Sequence, residues 1–464
     1  MVRLFNVYYP KRTLVLAASE AMLVLLALLV PMTVQFVGDL AEMPSFGERF
    51  LKLLLAAAVV ILSAYYLDLY SPTTLTNPRE VWTRAMMSLG ASCIVLAAVY
   101  ALIPATRLPQ NVILPGIVLT SLAFVGSRRA FSRLNRSARL AERAILLGAG
   151  PLLKRLADEV ASRPELGIRL VGYVGLPLPN GYEAAANVPF LGEASSFGEI
   201  IREKPVDRVI VTMSDRRGAL PVHDLLQLKT QGTLVEDGVH FYETISGRMP
   251  VDAVRPGAML FSQGFHVSQS LLLKKRLYSL MISSVALAIL SPVMALVALA
   301  VAIESPGGVL FRQKRVGLGG RVFQILKFRS MRVGAESSTG PVWAQHEDPR
   351  ITRVGRILRK LRLDELPQLI NILRGDMSVV GPRPERPHFV EMLSEQIPYY
   401  GLRHAVPPGL TGWAQVSYPY GSTVEESREK LEYDLFYIKN MSLSLDLMIL
   451  FSTLKIVLLG KGAK

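Results

Sequence analysis

Apolar residues are gathered into long runs along this chain, with charged residues between them. Four runs fall early, at 13–37, 50–69, 86–103 and 112–125, the fourth being the shortest. Each approaches the roughly 20 residues needed to cross bilayer hydrocarbon. They predict a four-span transmembrane bundle over residues 1–140. The first run is too long, and too soon followed by others, to be a cleavable signal. Arg3, Lys11 and Arg12 precede it, Arg79 and Arg84 lie between the second and third runs, and Arg128, Arg129, Arg133, Arg136, Arg139 and Arg143 follow the fourth. The loop after the first run carries Asp39, Glu42 and Glu48 against Arg49 and Lys52, and the loop after the third has only Arg107. That asymmetry predicts both ends of the bundle on the cytoplasmic side.

From Arg143 the period changes. "RAILLGAGPLLKRLADEV" reads as strand, glycine turn and helix, and "DRVIVTM" as a later buried strand, so residues 141–240 are expected to form a Rossmann-like α/β domain. Gly148 and Gly150 fill two positions of a dinucleotide fingerprint, but Leu153 stands where the third glycine belongs, and no acid follows "LVGYVG" at the ribose position. The expectation is a domain used for packing or regulation, not a working dinucleotide site. Residues 241–270 form a Gly- and Pro-punctuated connection.

A fifth apolar run, 277–303, follows Lys274, Lys275 and Arg276. Its length would allow a crossing, but the next segment carries Arg312, Lys314, Arg315, Arg321, Lys327 and Arg329, which a crossing would export. Ser291 and Pro292 sit near its middle, where proline removes a helix hydrogen bond. The pattern predicts a kinked, re-entrant helix with both ends cytoplasmic. A last apolar segment, 443–459, contains Asp446 and Lys455. Either charge costs about 2.5 to 3.5 kcal/mol at a bilayer centre, so an interfacial helix is expected there.

In "LDELPQLINIL" the residues Leu366, Leu369, Ile370 and Leu373 recur at helical spacing, predicting a helix that starts at Asp364 and Glu365, with Asp364 as N-cap and Pro367 in the first turn. A helix start and the neighbouring Arg359, Lys360 and Arg362 favour an ionised carboxylate there, and an ionised aspartate can act as a nucleophile. Phosphate-binding candidates surround the pair. Arg312, Arg315, Lys327 and Arg329 flank a glycine turn, Arg362 precedes the pair, Arg383 stands between Pro382 and Pro384, and Arg403 precedes His404 and another glycine turn. Guanidinium groups match phosphate oxygens bidentately. Asp364 and Glu365 are also the candidate ligands for Mg²⁺, which is usually held by one or two acids plus phosphate oxygens.

Composition narrows the partners. The 464 residues are 50% hydrophobic, with 52 Lys and Arg against 37 Asp and Glu, a net charge of +15. Basic residues flank apolar runs and the acidic pair, which fits anionic lipid and phosphorylated substrates; no interleaved aromatic and basic repeat of a nucleic-acid binder is present. One cysteine, Cys93, and six scattered histidines provide neither an intramolecular disulfide nor a zinc constellation.

Taken together, "RQKRVG", "KFRSM", "RLDELPQLINILRGDMSVVGPRPE", "PGLTGWAQV" and "YDLFYIKN" resemble the bacterial sugar transferases, the monotopic polyprenyl-phosphate hexose-1-phosphate transferases. The similarity covers about 271–464. The full layout resembles the large membrane forms, and "FYETISGRMPVDAVRPGAMLF" is similar to the exosortase-associated, PEP-CTERM exopolysaccharide subgroup.

The resemblance implies transfer of a sugar 1-phosphate from a UDP-sugar to undecaprenyl phosphate, releasing UMP, as the first membrane step of exopolysaccharide, capsule or O-antigen synthesis. It implies attack by Asp364 through a covalent phosphosugar intermediate, with Glu365 assisting or holding metal. The helix break falls on Ser291 and Pro292. The implied location is the bacterial inner membrane with the catalytic domain on its cytoplasmic face. Membrane lipid and downstream polysaccharide glycosyltransferases are implied partners; oligomeric state is left open, a homodimer being one option. Two other readings stand beside it: a membrane-tethered NAD(P)-dependent sugar-modifying enzyme centred on Gly148 and Gly150, and a non-catalytic polysaccharide-assembly scaffold.

Overall fold

A computed structural model describes residues 1–34, 46–71, 74–75, 77–136, 140–176, 188–213, 220–254, 256–261, 264–305, 307–334, 348–418 and 423–459. Asp39, Glu42 and Arg139 lie outside them, whereas Glu48 falls in the first turn of a helix. The chain divides into two compact units, one running essentially from Tyr8 to Phe241 and the other from Tyr242 to Lys464, with Arg3–Val7 joined to the second.

In the first unit, α1 (Lys11–Val34), α2 (Phe46–Tyr66), α3 (Pro78–Leu102) and α4 (Gln110–Arg136) arise from the four apolar runs. All four are long and apolar enough to cross a membrane. Their shared core is Val24, Leu28, Leu53, Ala56, Ala57, Val60, Ala64 and Phe124, and alanines at the contacts let the helix backbones approach. A buried ion pair that hydropathy did not anticipate crosses this core. Glu20 on α1 meets Arg128 on α4 at 2.8 Å, and Arg128 also donates to the Leu69 carbonyl at 3.1 Å. Arg128, read from sequence as a cytoplasmic flank, is thus an internal clamp.

The same unit holds a five-stranded parallel sheet of β1 (Glu142–Leu147), β2 (Ile168–Val174), β3 (Phe190–Gly192), β4 (Arg208–Val211) and β5 (Leu234–Asp237), in the order β3-β2-β1-β4-β5. The strand order reverses across β1, as in a Rossmann-like sheet. α5 (Pro151–Ser162) follows β1 and buries Leu152, Leu153 and Leu156. Gly148 has a concrete reason to be glycine. A Cβ there would lie 2.6 Å from the Met213 amide nitrogen and 2.7 Å from Thr212 Oγ1. Leu153, in the third-glycine position, is 1% exposed and packs as core.

In the second unit the expected connection is structured. α6 (Gly238–Ser246) leads into it, and its residues reach toward α7 (Val424–Lys439): Glu243 takes Lys439 Nζ at 2.7 Å, and the Met249 amide donates to the Glu432 carbonyl at 3.0 Å. Then comes α8 (Gln269–Glu304), a 36-residue helix containing Pro292. Ser291 Oγ donates to the Ala288 carbonyl at 2.9 Å. Ala288 lies four residues before Pro292, so the serine hydroxyl serves the carbonyl that proline, having no N–H, leaves without its helical donor. The helix thus runs from Gln269 to Glu304 through Pro292 with the Ala288 carbonyl still satisfied.

Both ends of α8 engage the rest of this unit. Arg276 donates to the carbonyls of Ile372 and Leu373, the latter at 2.8 Å. At the far end Glu304 accepts from the amides of Arg353 and Val354 at 2.8 and 3.0 Å. α9 (Leu443–Leu458) is the last helix, and its Asp446 lies 2.6 Å from Lys275 of α8, both essentially buried. The charge that argued for an interfacial position is thus neutralised inside the protein.

Candidate active site

The acidic pair sits between a β-hairpin and a short helix. The hairpin strands are β6 (Leu310–Val316) and β7 (Val322–Phe328), antiparallel, with Phe311 opposite Lys327 and Arg315 opposite Phe323. Gly319 and Gly320 turn the chain between them at φ 62° and 79°. Cross-strand partners share a face and neighbours alternate, so Arg315 and Lys327 lie on one face of the ribbon. Arg312, opposite Leu326, lies on the other and is exposed. Arg312 is accordingly not brought to the acidic pair.

The local structure corrects the sequence expectation at the helix start. Asp364 is not an N-cap: Leu363–Glu365 form a 3₁₀ turn, and the α-helix α10 begins only at Gln368 and ends at Arg374. The cause is backbone. Arg362 adopts φ 56°, a left-handed conformation uncommon for arginine, and reverses the chain; Pro367 then bars an amide donor before α10. The fully buried face is Gln368, Leu369, Asn371 and Ile372, whereas Leu366, Ile370 and Leu373 are only partly buried.

Asn371 is a polar residue with no exposure, and it explains how the pieces are held. Its Oδ1 accepts from the Leu326 amide at 2.9 Å, and its Nδ2 donates to the Gln324 carbonyl at 2.7 Å and to Asp376 at 3.0 Å. The side chain substitutes for a neighbouring strand along β7. It thereby fixes α10, and the turn before it, against the strand that carries Lys327. The polar break in "LPQLINIL" was its only sequence signal.

The two carboxylates have different surroundings. Glu365 Oε1 accepts from Lys327 Nζ at 2.9 Å and from Arg383 Nη2, while Arg383 Nη1 reaches Oε2 at 3.5 Å. Burial would push Glu365 upward, but Arg383 and then Lys327 outweigh it and hold its carboxyl well below the ordinary range. Asp364 is 8% exposed. Burial pushes its pKa up, Lys327 pulls it back only partly, and the Glu365 charge adds to the rise. The expectation that surrounding cations simply favour ionised Asp364 is therefore corrected: burial dominates, and the closest cations grip the neighbour.

Four further sequence candidates have structural engagements. Arg315 donates to the Pro384 carbonyl at 3.0 Å and meets Glu385 at 3.3 Å. Arg329 donates to the Ser305 carbonyl at the end of α8. Arg362 makes the chain reversal already described. Arg403 is 7% exposed and lies 2.8 Å from Asp434, so it is a buried strut and not an open phosphate ligand. Burial, then the Arg403 charge, pushes His404 down to about 4, leaving it neutral near pH 7. Asp434, inside the quoted motif "YDLFYIKN", and Tyr400 both join the Arg403 cluster; neither was named as a site residue from sequence.

Among the described residues no group of three or more His, Cys, Asp or Glu gathers to hold a metal. Glu365 is already balanced by two cations. The donors fit a metal only if it takes most of its ligands from phosphate, as Mg²⁺ does, with Asp364 as the protein donor.

Residues 270–460 match the family described as bacterial sugar transferase, and residues 66–231 match one described as CoA-binding domain. The chain is 44% identical over 225 residues to the UDP-N-acetylgalactosamine-undecaprenyl-phosphate N-acetylgalactosaminephosphotransferase of Aeromonas hydrophila, covering 48% of this chain and 52% of that protein. It is 36% identical over 314 residues to the UDP-glucose:undecaprenyl-phosphate glucose-1-phosphate transferase of Escherichia coli (strain K12), 66% and 65% of the respective lengths. A UDP-glucose:undecaprenyl-phosphate glucose-1-phosphate transferase of Xanthomonas campestris pv. campestris is 34% identical over 338 residues, 69% and 68%. The chain thus spans from about half to about two thirds of these relatives.

Proposed function

The chain belongs to the bacterial sugar transferase family, and from that premise we propose that it transfers a sugar 1-phosphate from a UDP-sugar to undecaprenyl phosphate. The observation that carries this reading is the division of labour between adjacent carboxylates, Asp364 buried and Glu365 held by Lys327 and Arg383.

Asp364 Oδ attacks the sugar-bearing phosphorus of the donor. A carboxylate–phosphorus bond forms as the bond to the UMP oxygen breaks, and UMP leaves. An oxygen of undecaprenyl phosphate then attacks the same phosphorus, the aspartyl bond breaks, and Asp364 returns as a carboxylate. Both steps bring anions together, so they need fixed positive charge. Lys327 and Arg383 supply it, and Glu365 keeps both aimed before substrate arrives. Asp364 would be the protein group to hold Mg²⁺, which would supply further positive charge for the leaving phosphate.

The two ends of α8 support a re-entrant course. Arg276 holds carbonyls at 372 and 373, and Glu304 caps the helix that starts at Arg353. Between those points lie Arg356, Arg359, Lys360, Arg362, Asp364 and Glu365. That segment would be expelled from hydrocarbon, which favours both helix ends on one face of the membrane. By the charge flanks of the bundle that face is cytoplasmic, in the bacterial inner membrane, where a water-soluble UDP-sugar is available. The pathway proposed is the opening membrane step of an exopolysaccharide, capsule or O-antigen, feeding downstream glycosyltransferases.

The test is UMP release from a panel of UDP-sugars with undecaprenyl phosphate and Mg²⁺. Wild type should turn over with at least one donor, and Asp364→Asn should lose about 10³-fold or more in kcat. Equal turnover by the two proteins would reject the assignment.

A further inference from the structure

The segment 382–385 has every backbone carbonyl engaged. Pro382 accepts from the Gly409 amide at 2.9 Å, and Glu385 from the Val316 amide at 2.9 Å. Between them, two arginine side chains do what backbone does at the ends. Arg403 Nη2 donates to the Arg383 carbonyl at 2.9 Å, and Arg315 Nη1 to the Pro384 carbonyl at 3.0 Å. Prolines on either side of Arg383 already fix φ at their own positions. With four consecutive acceptors tied, the Arg383 peptide has little freedom to rotate, and its guanidinium leaves the backbone in one direction, toward Glu365.

Arg403 is itself held from behind. The nitrogen that bonds the Arg383 carbonyl also lies 2.8 Å from Asp434 Oδ2 on α7, and Nη1 donates to the Tyr400 hydroxyl. Its guanidinium carbon lies 5.1 Å from the Tyr400 ring centroid. Asp434 is 1% exposed, so this pair lies inside the protein. A buried arginine engaged on three partners is poorly placed to meet a diphosphate, but well placed to fix a loop.

We propose that Arg403, anchored by Asp434 and Tyr400, is a positioning residue that aims Arg383 at the acidic pair. Arg315 supports the next carbonyl of the same loop. The kinetic readout rests on the transferase reading above; the geometry does not.

The test uses the full-length protein and the UDP-sugar that supports UMP release, with Arg403→Lys, Asp434→Asn and Tyr400→Phe made alone and on an Arg383→Ala background. Each single variant should lower kcat/KM about 10- to 100-fold, with Tyr400→Phe at the low end. Each should divide its loss between kcat and KM as Arg383→Ala does. On the Arg383→Ala background they should cost nothing further, because the residue being aimed is gone. Losses that multiply with Arg383→Ala, or a pure KM effect unlike that of Arg383→Ala, would make Arg403 a direct ligand and overturn the proposal. Unchanged kinetics in every folded variant would remove Arg403 from the site altogether and also overturn the proposal. Should the first two variants not fold, Tyr400→Phe, which removes one hydroxyl and leaves the ion pair, carries the same comparison. Full turnover by Asp364→Asn would instead reject the transferase mechanism, a separate outcome.

Discussion

Lys327 Nζ lies 2.9 Å from Glu365 Oε1, joining the hairpin strand to the turn that carries both carboxylates. The same lysine is the strongest cation acting on Asp364, where it opposes the rise caused by burial. One ammonium group therefore orders Glu365 and eases ionisation of its neighbour.

Removing it has a defined sign. In Lys327→Met, Asp364 loses a group that lowers its pKa, so a smaller fraction is ionised at any given pH. The acid limb of kcat against pH should move to higher pH, and kcat near neutrality should fall about 10²-fold or more. Lys327→Arg should keep the wild-type limb, and a pH profile of UMP release measures both. An unmoved limb in Lys327→Met would remove Lys327 from the control of Asp364.

Asp434 provides a second pH dependence. Burial pushes its pKa up to about 6, with Arg403 and Lys430 opposing and Glu385 adding to the rise. Its ionised form is the one that holds Arg403, so kcat should decline as pH falls through about 6, and Asp434→Asn should flatten that limb. Fold stability has the opposite sign. A raised folded pKa means this group's stabilising contribution is full below its ordinary value of 3.8 and is lost as pH rises through about 6. Lower activity without a lower melting temperature near pH 6 separates this effect from acid unfolding.

The buried Lys275–Asp446 pair should behave as a unit. Asp446 also accepts from the hydroxyls of Tyr278 and Tyr437, so the α8–α9 junction is fully hydrogen-bonded. Asp446→Ala should destabilise the detergent-purified protein by about 3 to 5 kcal/mol by leaving a buried ammonium unpaired. Lys275→Met with Asp446→Leu should recover much of that loss in denaturant titrations. A double variant as unstable as the single would show that the pair's net charge attraction, not the unpaired charge, matters.

Topology can be read chemically. Lys314 is exposed on β6, beyond the end of α8, and Cys93 is the chain's single cysteine. In a Cys93→Ser protein, Lys314→Cys should react with an impermeant thiol reagent only from the cytoplasmic side. Labelling from outside would make α8 a true span.

Much of the architecture was legible because it depends on local periodicity. Apolar runs gave the helices of the first unit and α8, and buried strands around Gly148 gave the parallel sheet. The acidic pair and the surrounding arginines were also visible as residue types. Their partners were not. Lys327 is 38 positions from Glu365, Arg403 is 31 from Asp434, and Lys275 is 171 from Asp446. Hydropathy treated Asp446 as a charge to be kept from lipid, whereas tertiary packing neutralised it.

The sequence by itself determined which segments seek hydrocarbon, where the chain turns to α/β structure, and which acids and arginines are available for phosphate chemistry. Only the tertiary structure decided that, of two largely buried acids, Glu365 is the one paired with Lys327 and Arg383, and that Arg403 faces inward while Arg383 faces the acids. The reason is physical. Helix and strand periodicity act over a few residues, whereas desolvation and charge pairing depend on groups that distant segments bring within about 3 to 4 Å.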